Sequence, residues 1–386
     1  MSQRTRTIFK WILIVVGTLI LLISSLTVWV KRQGLDNDAW TNTSSRFLQN
    51  DDIRQALSVY IVDQLYAQGN VQQRLEQRLP PNLQGLAGPI AGALREPAQT
   101  AVNRFLERPR VQQAWKQANR AAHSELLDIL ENKTRPGVST SGGEVTLDLR
   151  TFIINVGQQL GIGGDALASR LPANAGQITI LKSDQLKAAQ DGLKVIKVLS
   201  WALIFLALAC FGGAIWLAES GKRRDALRIV AAVFILVGIL LLVIRKVAEN
   251  YIVDELTSGQ SLRDAADAAW LIGTSLLAQV AWSLILYGVV VLIGVILTSP
   301  FSWARRFRAW IGPLLRDYAG AAWAIVAGVF LLLLLWAPTP AFHTWLGVLL
   351  LAILIAIGFE AFRRFTLAEL PDRASAPPAS PPPAAS

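Results

Sequence analysis

Hydrophobic positions along the chain fall into long unbroken runs separated by one wide polar block. The first run, Trp11–Val30, follows a basic start containing Arg4, Arg6 and Lys10. The second, Val195–Ala218, grows out of a polar amphipathic lead, Ser183-Asp184-Gln185-Leu186-Lys187, and stops at Lys222-Arg223-Arg224. At about 1.5 Å rise per residue, each is long enough to cross a hydrocarbon core of roughly 30 Å. Further runs lie at Ile229–Ile244, Trp270–Thr298, Tyr318–Trp336 and Thr344–Phe362, so the pattern predicts six membrane-spanning helices. The connecting charges orient them. Alternate segments hold Arg4, Arg6 and Lys10; Lys222, Arg223, Arg224 and Arg228; Arg305, Arg306, Arg308 and Arg316; and Arg363, Arg364 and Arg373. The loop after the third run is acidic instead, with Glu249, Asp254, Glu255, Asp264 and Asp267. Because positive charge accumulates in cytoplasmic loops, both termini are expected in the cytoplasm of a multi-pass plasma-membrane protein. No small-x-small cleavage site follows the first run, which therefore reads as an uncleaved signal anchor.

The polar block, residues 33–193, is long enough for one extracytoplasmic domain with its own core. Asp51 reads as a helix cap, with Ile53, Leu57, Tyr60, Ile61 and Leu65 at helical spacing behind it. Asn70 is placed to cap a short helix, ended by Pro80-Pro81, and further helical patterns cover Leu83–Leu94 and Pro97–Leu106. From Pro109 to Leu130, Val111, Trp115, Ala118, Ala122, Leu126 and Ile129 are expected inward. Residues 133–143 read as loop. Glu144–Leu149 alternates as a strand does, Thr151–Leu160 returns to helix, and Gln177–Leu181 is a second short strand. The predicted fold is mainly α: a six-helix transmembrane bundle with an inserted extracytoplasmic helical domain containing two short strands. Its parts are 1–32, a cytoplasmic start and first span; 33–193, the inserted domain; 194–365, five further spans; and 366–386, a Pro/Ala/Ser-rich disordered cytoplasmic tail.

Composition supports this division: the 386 residues are 53% hydrophobic and only 17% charged. The net charge of +10 raises nucleic acid as a partner. The excess, however, sits in short loops beside apolar runs and forms no basic-aromatic face, so no nucleic-acid partner is expected. The single cysteine, Cys210, excludes an intrachain disulfide, leaving the polar domain to its core alone.

Little in the chain suits catalysis. His123 is followed by Glu125 and Asp128, but Leu127 occupies the position a helical metal pair would need. His343 lies at a membrane edge. Gly161-Ile162-Gly163-Gly164 is followed by no Lys-Ser/Thr, so it is not a phosphate cradle. Neither cofactor nor metal is expected, and no enzymatic activity.

Two membrane features invite a role. Ser275, Gln279, Ser283 and Tyr287 repeat every four residues and form an intramembrane polar stripe, which is costly in lipid unless it faces helices or water. Gly320, Ala324 and Gly328 form a small-residue face in the next span, the expected receiver of that stripe. Between those spans, Phe301, Trp303, Phe307, Trp310, Ile311 and Leu314 share one helical face. That predicts an interfacial helix whose Arg305, Arg306 and Arg308 meet anionic lipid headgroups.

Several short motifs carry a resemblance. Trp115-x-x-x-Asn119-x-x-Ala122-His123, Gly143–Leu149 and the Ser183-Asp184-Gln185-Leu186 lead resemble a family of integral membrane proteins common in actinobacterial genomes, over about residues 36–224. That family, which has no assigned activity, implies an extracytoplasmic helical domain after the first transmembrane helix. The expected function is an envelope membrane protein whose external domain binds or senses an envelope protein or lipid partner. The alternative is a small-solute or lipid transporter using the polar stripe.

Overall fold

The computed structural model describes residues 3–131, 138–139, 144–148, 177–219, 221–256, 260–336, 342 and 345–369. The loop residues 133–137 and 140–143, the helix expected at 151–160, Gly161–Gly164, His343, the 337–340 turn and the chain beyond Glu369 lie outside them. Helices are α1 Gln3–Leu35, α2 Asn37–Gln49, α3 Asp51–Gly69, α4 Val71–Arg78, α5 Ala87–Glu107, α6 Pro109–Leu130, α7 Ser183–Leu217, α8 Arg223–Leu256, α9 Gln260–Gly273, α10 Ser275–Leu297, α11 Ser302–Asp317, α12 Ala319–Trp336 and α13 Trp345–Glu369.

Among the described residues, α1, α7, α8 and α10 are long and apolar enough to cross a membrane. The pair α11 and α12, bent by 113°, makes up to five. The expectation of six is corrected accordingly, and α13, which follows undescribed residues, is not in that count. Two breaks shift the expected boundaries. The run Trp270–Thr298 divides at Thr274, whose hydroxyl accepts from Arg245 Nε at 2.7 Å, so Trp270 belongs to α9. Tyr318 leaves helical geometry between α11 and α12, which turns the chain sharply. Apolar helices of this length are compatible with a multi-pass membrane protein. At 33 residues, α1 measures about 50 Å, well beyond a hydrocarbon core.

The chain divides into two compact units. One contains residues 1–22, 205–242 and 278–386. There α1 and α7 meet closely: a Cβ built at Gly17 would lie 3.0 Å from the Phe211 ring and 3.1 Å from Cys210 Cβ. Phe211 also meets Phe234 of α8, with ring centroids 5.6 Å apart. The closest approach joins α8 and α10. A Cβ at Gly238 would come within 2.7 Å of the Ala281 carbonyl oxygen, and one at Gly288 within 2.7 Å of the Ala231 oxygen. Further along, Leu315, Ala322 and Phe362 bring α11, α12 and α13 together, with Phe307, Ile311 and Phe359 packed against them.

The other unit contains residues 23–204 and 243–277. In it α2 packs on α6, α3 on α5, and α9 on both α2 and α3. Asp36 caps α2, its Oδ1 accepting from the amides of Asp38 and Ala39. Asn50, rather than the expected Asp51, caps α3 by accepting from Ile53 N. Asn70 makes no side-chain cap; with φ 46° and ψ 45° it ends α3 in the left-handed conformation, which asparagine tolerates. The inward faces also differ from those expected. Helix α3 buries Arg54, Ser58 and Val62, while Tyr60 and Leu65 are exposed. Helix α6 buries Val111 and Ile129 as expected, adds Ala114 and His123, and leaves Trp115 38% exposed. Instead of two helices, α5 runs straight through Pro97. Where two short strands were expected, a third segment joins them. Backbone pairing joins three segments, with Glu144–Asp148 antiparallel to both Gln177–Lys182 and Val138–Ser139.

Candidate functional site

The polar stripe of α10 is not gathered into a pathway. Its buried face is Leu277, Ala281, Leu284 and Gly288, turned to α8, and the stripe runs along the flank of that contact. Ser275 Oγ donates to Ile272 O at 2.8 Å, and Ser283 Oγ donates to Gln279 O at 2.8 Å. Both serine hydroxyls therefore donate to nearby backbone, Ser283 on its own helix and Ser275 to the end of α9. Gln279 and Tyr287 are half-buried. The face expected to receive the stripe is open instead: a Cβ added at Gly320 or Gly328 would meet nothing within 4 Å, and Ala324 lies on the same span. Spacing alone could not tell a small-residue face that packs from one that does not.

The three arginines expected to meet headgroups separate. Arg305 and Arg306 are exposed on α11. Arg308 is 1% exposed and wholly engaged inside the protein, which corrects its assignment as a lipid contact. Its Nε donates to Glu369 Oε2 at 2.8 Å and its Nη2 to Oε1 at 3.1 Å, a bidentate pair. Nη1 donates to the carbonyls of Leu297 at 2.5 Å and Ser299 at 2.9 Å, satisfying orphan acceptors at the end of α10. Arg224 donates to Thr298 O at 3.0 Å and lies 4.0 Å above the Phe365 ring, and Arg228 reaches Ser299 Oγ. This is a structural clasp. The aromatic face of α11 divides likewise, Phe307 and Ile311 inward, Trp303 exposed and Trp310 77% exposed.

In the other unit His123 joins three elements. Its Nε2 lies 3.2 Å from Gly34 O at the end of α1, its Nδ1 3.1 Å from the Asn37 side chain, and its ring stacks on Trp40 at 5.0 Å. Both partners are oxygens, Gly34 O and Asn37 Oδ1, and a neutral imidazole carries one N–H, so it donates to one of them at a time. Burial lowers the His123 pKa below its ordinary value, against smaller raising effects of the Gly34 bond and the Asp36 carboxylate. The unfolded chain therefore takes up this proton first as pH falls. His123's share of stability is whole above its ordinary pKa of about 6.5 and declines as pH drops from there toward the lowered folded value. Thermal unfolding of the full chain in detergent should fall by a few degrees from pH 7.5 to 5. In His123→Phe, which keeps the stacking, that fall should be smaller; an unchanged profile would exclude His123 as its source.

Beside this junction, α2 and α6 run antiparallel and leave an open cleft of about 380 Å³. Its walls are Asn42, Ser45, Arg46 and Gln49 from α2, and Gln112, Gln113 and Lys116 from α6. The four-residue spacing of Asn42 and Arg46, and of Gln112 and Lys116, places each pair on one helical face. Sequence reading missed this site because α2 gave no apolar periodicity. Its buried positions include Thr41, Thr43 and Ser44. Thr41 Oγ1 donates to Asn37 O at 2.6 Å and Ser44 Oγ to Thr41 O at 3.2 Å, so hydroxyls serve there as small core residues. The Asp36 cap followed by Asp38 was the available signal.

No family model matches the chain, and neither a curated protein nor a solved structure matches it.

Proposed function

We propose that the chain is a non-enzymatic, multi-pass membrane protein of the cell envelope, whose polar domain, residues 33–193, lies outside the cytoplasm and binds or senses a partner. The apolar helices anchor it in the plasma membrane with both termini in the cytoplasm. The observation that carries the binding role is the α2–α6 cleft, an open concavity walled entirely by polar side chains. Placement outside rests on the basic segments that flank the apolar runs. Membership of the actinobacterial membrane family belongs to the same proposal and rests on Trp115, Asn119, Ala122, His123 and the Ser183–Leu186 lead. Transport is less favoured, because both serines of the stripe already donate to backbone carbonyls three or four residues away.

One experiment addresses both placement and binding. Gln117 is exposed on α6, one residue beyond the cleft. In a Cys210→Ser background, Gln117→Cys in intact cells should react with an impermeant thiol reagent carrying a photocrosslinker, whereas Lys222→Cys should not. Irradiation should then capture an envelope component on Gln117→Cys. Labelling at 222 instead of 117 would reverse the topology, and labelling at 117 without capture would remove the binding role.

A further inference from the structure

Charge and position together narrow what the α2–α6 cleft can hold. Arg46 from α2 and Lys116 from α6 both line the cleft, and neither is paired with a carboxylate among the described residues. Nearby acids are already neutralised. Asp38, one turn before Asn42, pairs with Arg120 at 2.7 Å, and Glu107 accepts from Arg54 Nη2 at 3.0 Å. The remaining lining is hydroxyl and carboxamide, which can donate to and accept from the hydroxyls of a ligand. No apolar side chain lines the cleft, so an acyl chain or aromatic ring would find no complementary wall there.

The cleft also lies beside the start of an apolar helix. Arg46 Nη1 donates to Ser275 Oγ at 3.1 Å, and Ser275 is the first residue of α10, one of the helices apolar enough to cross a membrane. The neighbouring Phe47 ring lies 3.8 Å from a Cβ built at Gly273, the last residue of α9. Where such a helix enters a bilayer, a cationic site beside its first residue is within reach of the phosphates of lipid headgroups.

Resting on the binding role given above, we infer that the α2–α6 cleft takes a phosphate group carrying hydroxyls, with Arg46 and Lys116 on the phosphate oxygens and Ser45, Gln49 and Gln112 on the hydroxyls. A guanidinium offers a planar fork to phosphate and an ammonium a point charge, so the pair clamps one anion from two sides. Two sources carry this chemistry, a hydroxylated anionic lipid at the membrane edge and a soluble phosphate ester.

The test uses the full-length protein in detergent, with phosphatidylglycerol and glycerol 1-phosphate as probes. Native mass spectrometry after incubation with equal phosphatidylglycerol and phosphatidylcholine should show retained phosphatidylglycerol. Arg46→Gln with Lys116→Gln should lower that retention several-fold, while Arg305→Gln with Arg306→Gln should leave this share intact. Calorimetric titration with glycerol 1-phosphate reports the soluble source. Binding reduced at least tenfold by the double change, without phosphatidylglycerol preference, would support a soluble ester in the same cleft. Lys116→Gln alone serves if the double variant unfolds, since Lys116 is exposed. Retention and titration both indifferent to these changes would overturn the inference. If Gln117→Cys still captured an envelope component, the binding role would stand with its site elsewhere in the domain.

Discussion

Replacing Arg308 by methionine should destabilise the purified protein by about 3–5 kcal/mol, the usual cost of breaking a buried ion pair from one side. The loss reaches four acceptors at once: both oxygens of Glu369 and the carbonyls of Leu297 and Ser299. Methionine replaces the volume of the side chain but none of its donors, so those carbonyls become unsatisfied where water has little access. Lysine should recover only part of the loss, because an ammonium cannot make the bidentate contact. Glu369→Gln should cost less, since that carboxylate is 40% exposed and water can take over its partner's role. Unfolding in detergent by heat or denaturant measures all three. Arg305→Met is the control, exposed on the same helix and expected to stay near zero. Equal, small effects at 305 and 308 would mean that the clasp contributes nothing and that α11 is held by its apolar contacts alone.

The second large effect is expected where α8 and α10 touch. A Cβ at Gly288 would stand 2.7 Å from the Ala231 oxygen and 3.1 Å from the Ile235 amide nitrogen, both backbone atoms that cannot swing away. Gly238 meets the Ala281 oxygen at 2.7 Å in the same way. Alanine at either position forces the helices apart, an overpacking cost of about 1–3 kcal/mol, and valine at Gly288 should exceed it. Gly320→Ala and Gly328→Ala give the contrast. Both sites are open, and alanine is the better helix former by about 1 kcal/mol, so those changes should be neutral or slightly stabilising. A reversal of this ranking would place the close contact on α12, as spacing alone suggests.

The helix pairing shows where reading from spacing ran out. Gly320, Ala324 and Gly328 and the pair Gly238 and Gly288 are equally small, and periodicity scores the first set higher because its spacing is regular. Whether a small residue receives a neighbour depends on which helix lies across from it, and no local pattern carries that information. Arg308 is similar. On α11 it shares a sequence neighbourhood with Arg305 and Arg306, and its partners, the carbonyls at the end of α10 and Glu369, 61 residues away, make it an internal residue. The α2–α6 cleft needs two helices brought together from positions about 70 residues apart, as the 2.8 Å bond from Trp115 Nε1 to Ser44 O shows.

What the sequence by itself determined is the membrane character of the long apolar helices and the polar character of the helical stretch between the first two of them. Both follow from the free energy of transferring a local stretch between water and an apolar medium, which depends on the residues of that stretch alone. Helix identity was legible for the same reason wherever apolar residues set the period, as from Pro109 to Leu130. Tertiary structure decided the rest. It turned α3 about its axis from the expected face, left Trp115 of α6 partly exposed, divided the apolar run at Thr274, bent the chain at Tyr318, and made a core of the hydroxyls of α2. These outcomes depend on partners distant in the chain, because a buried polar group is stable only where another element or its own backbone supplies its hydrogen bond.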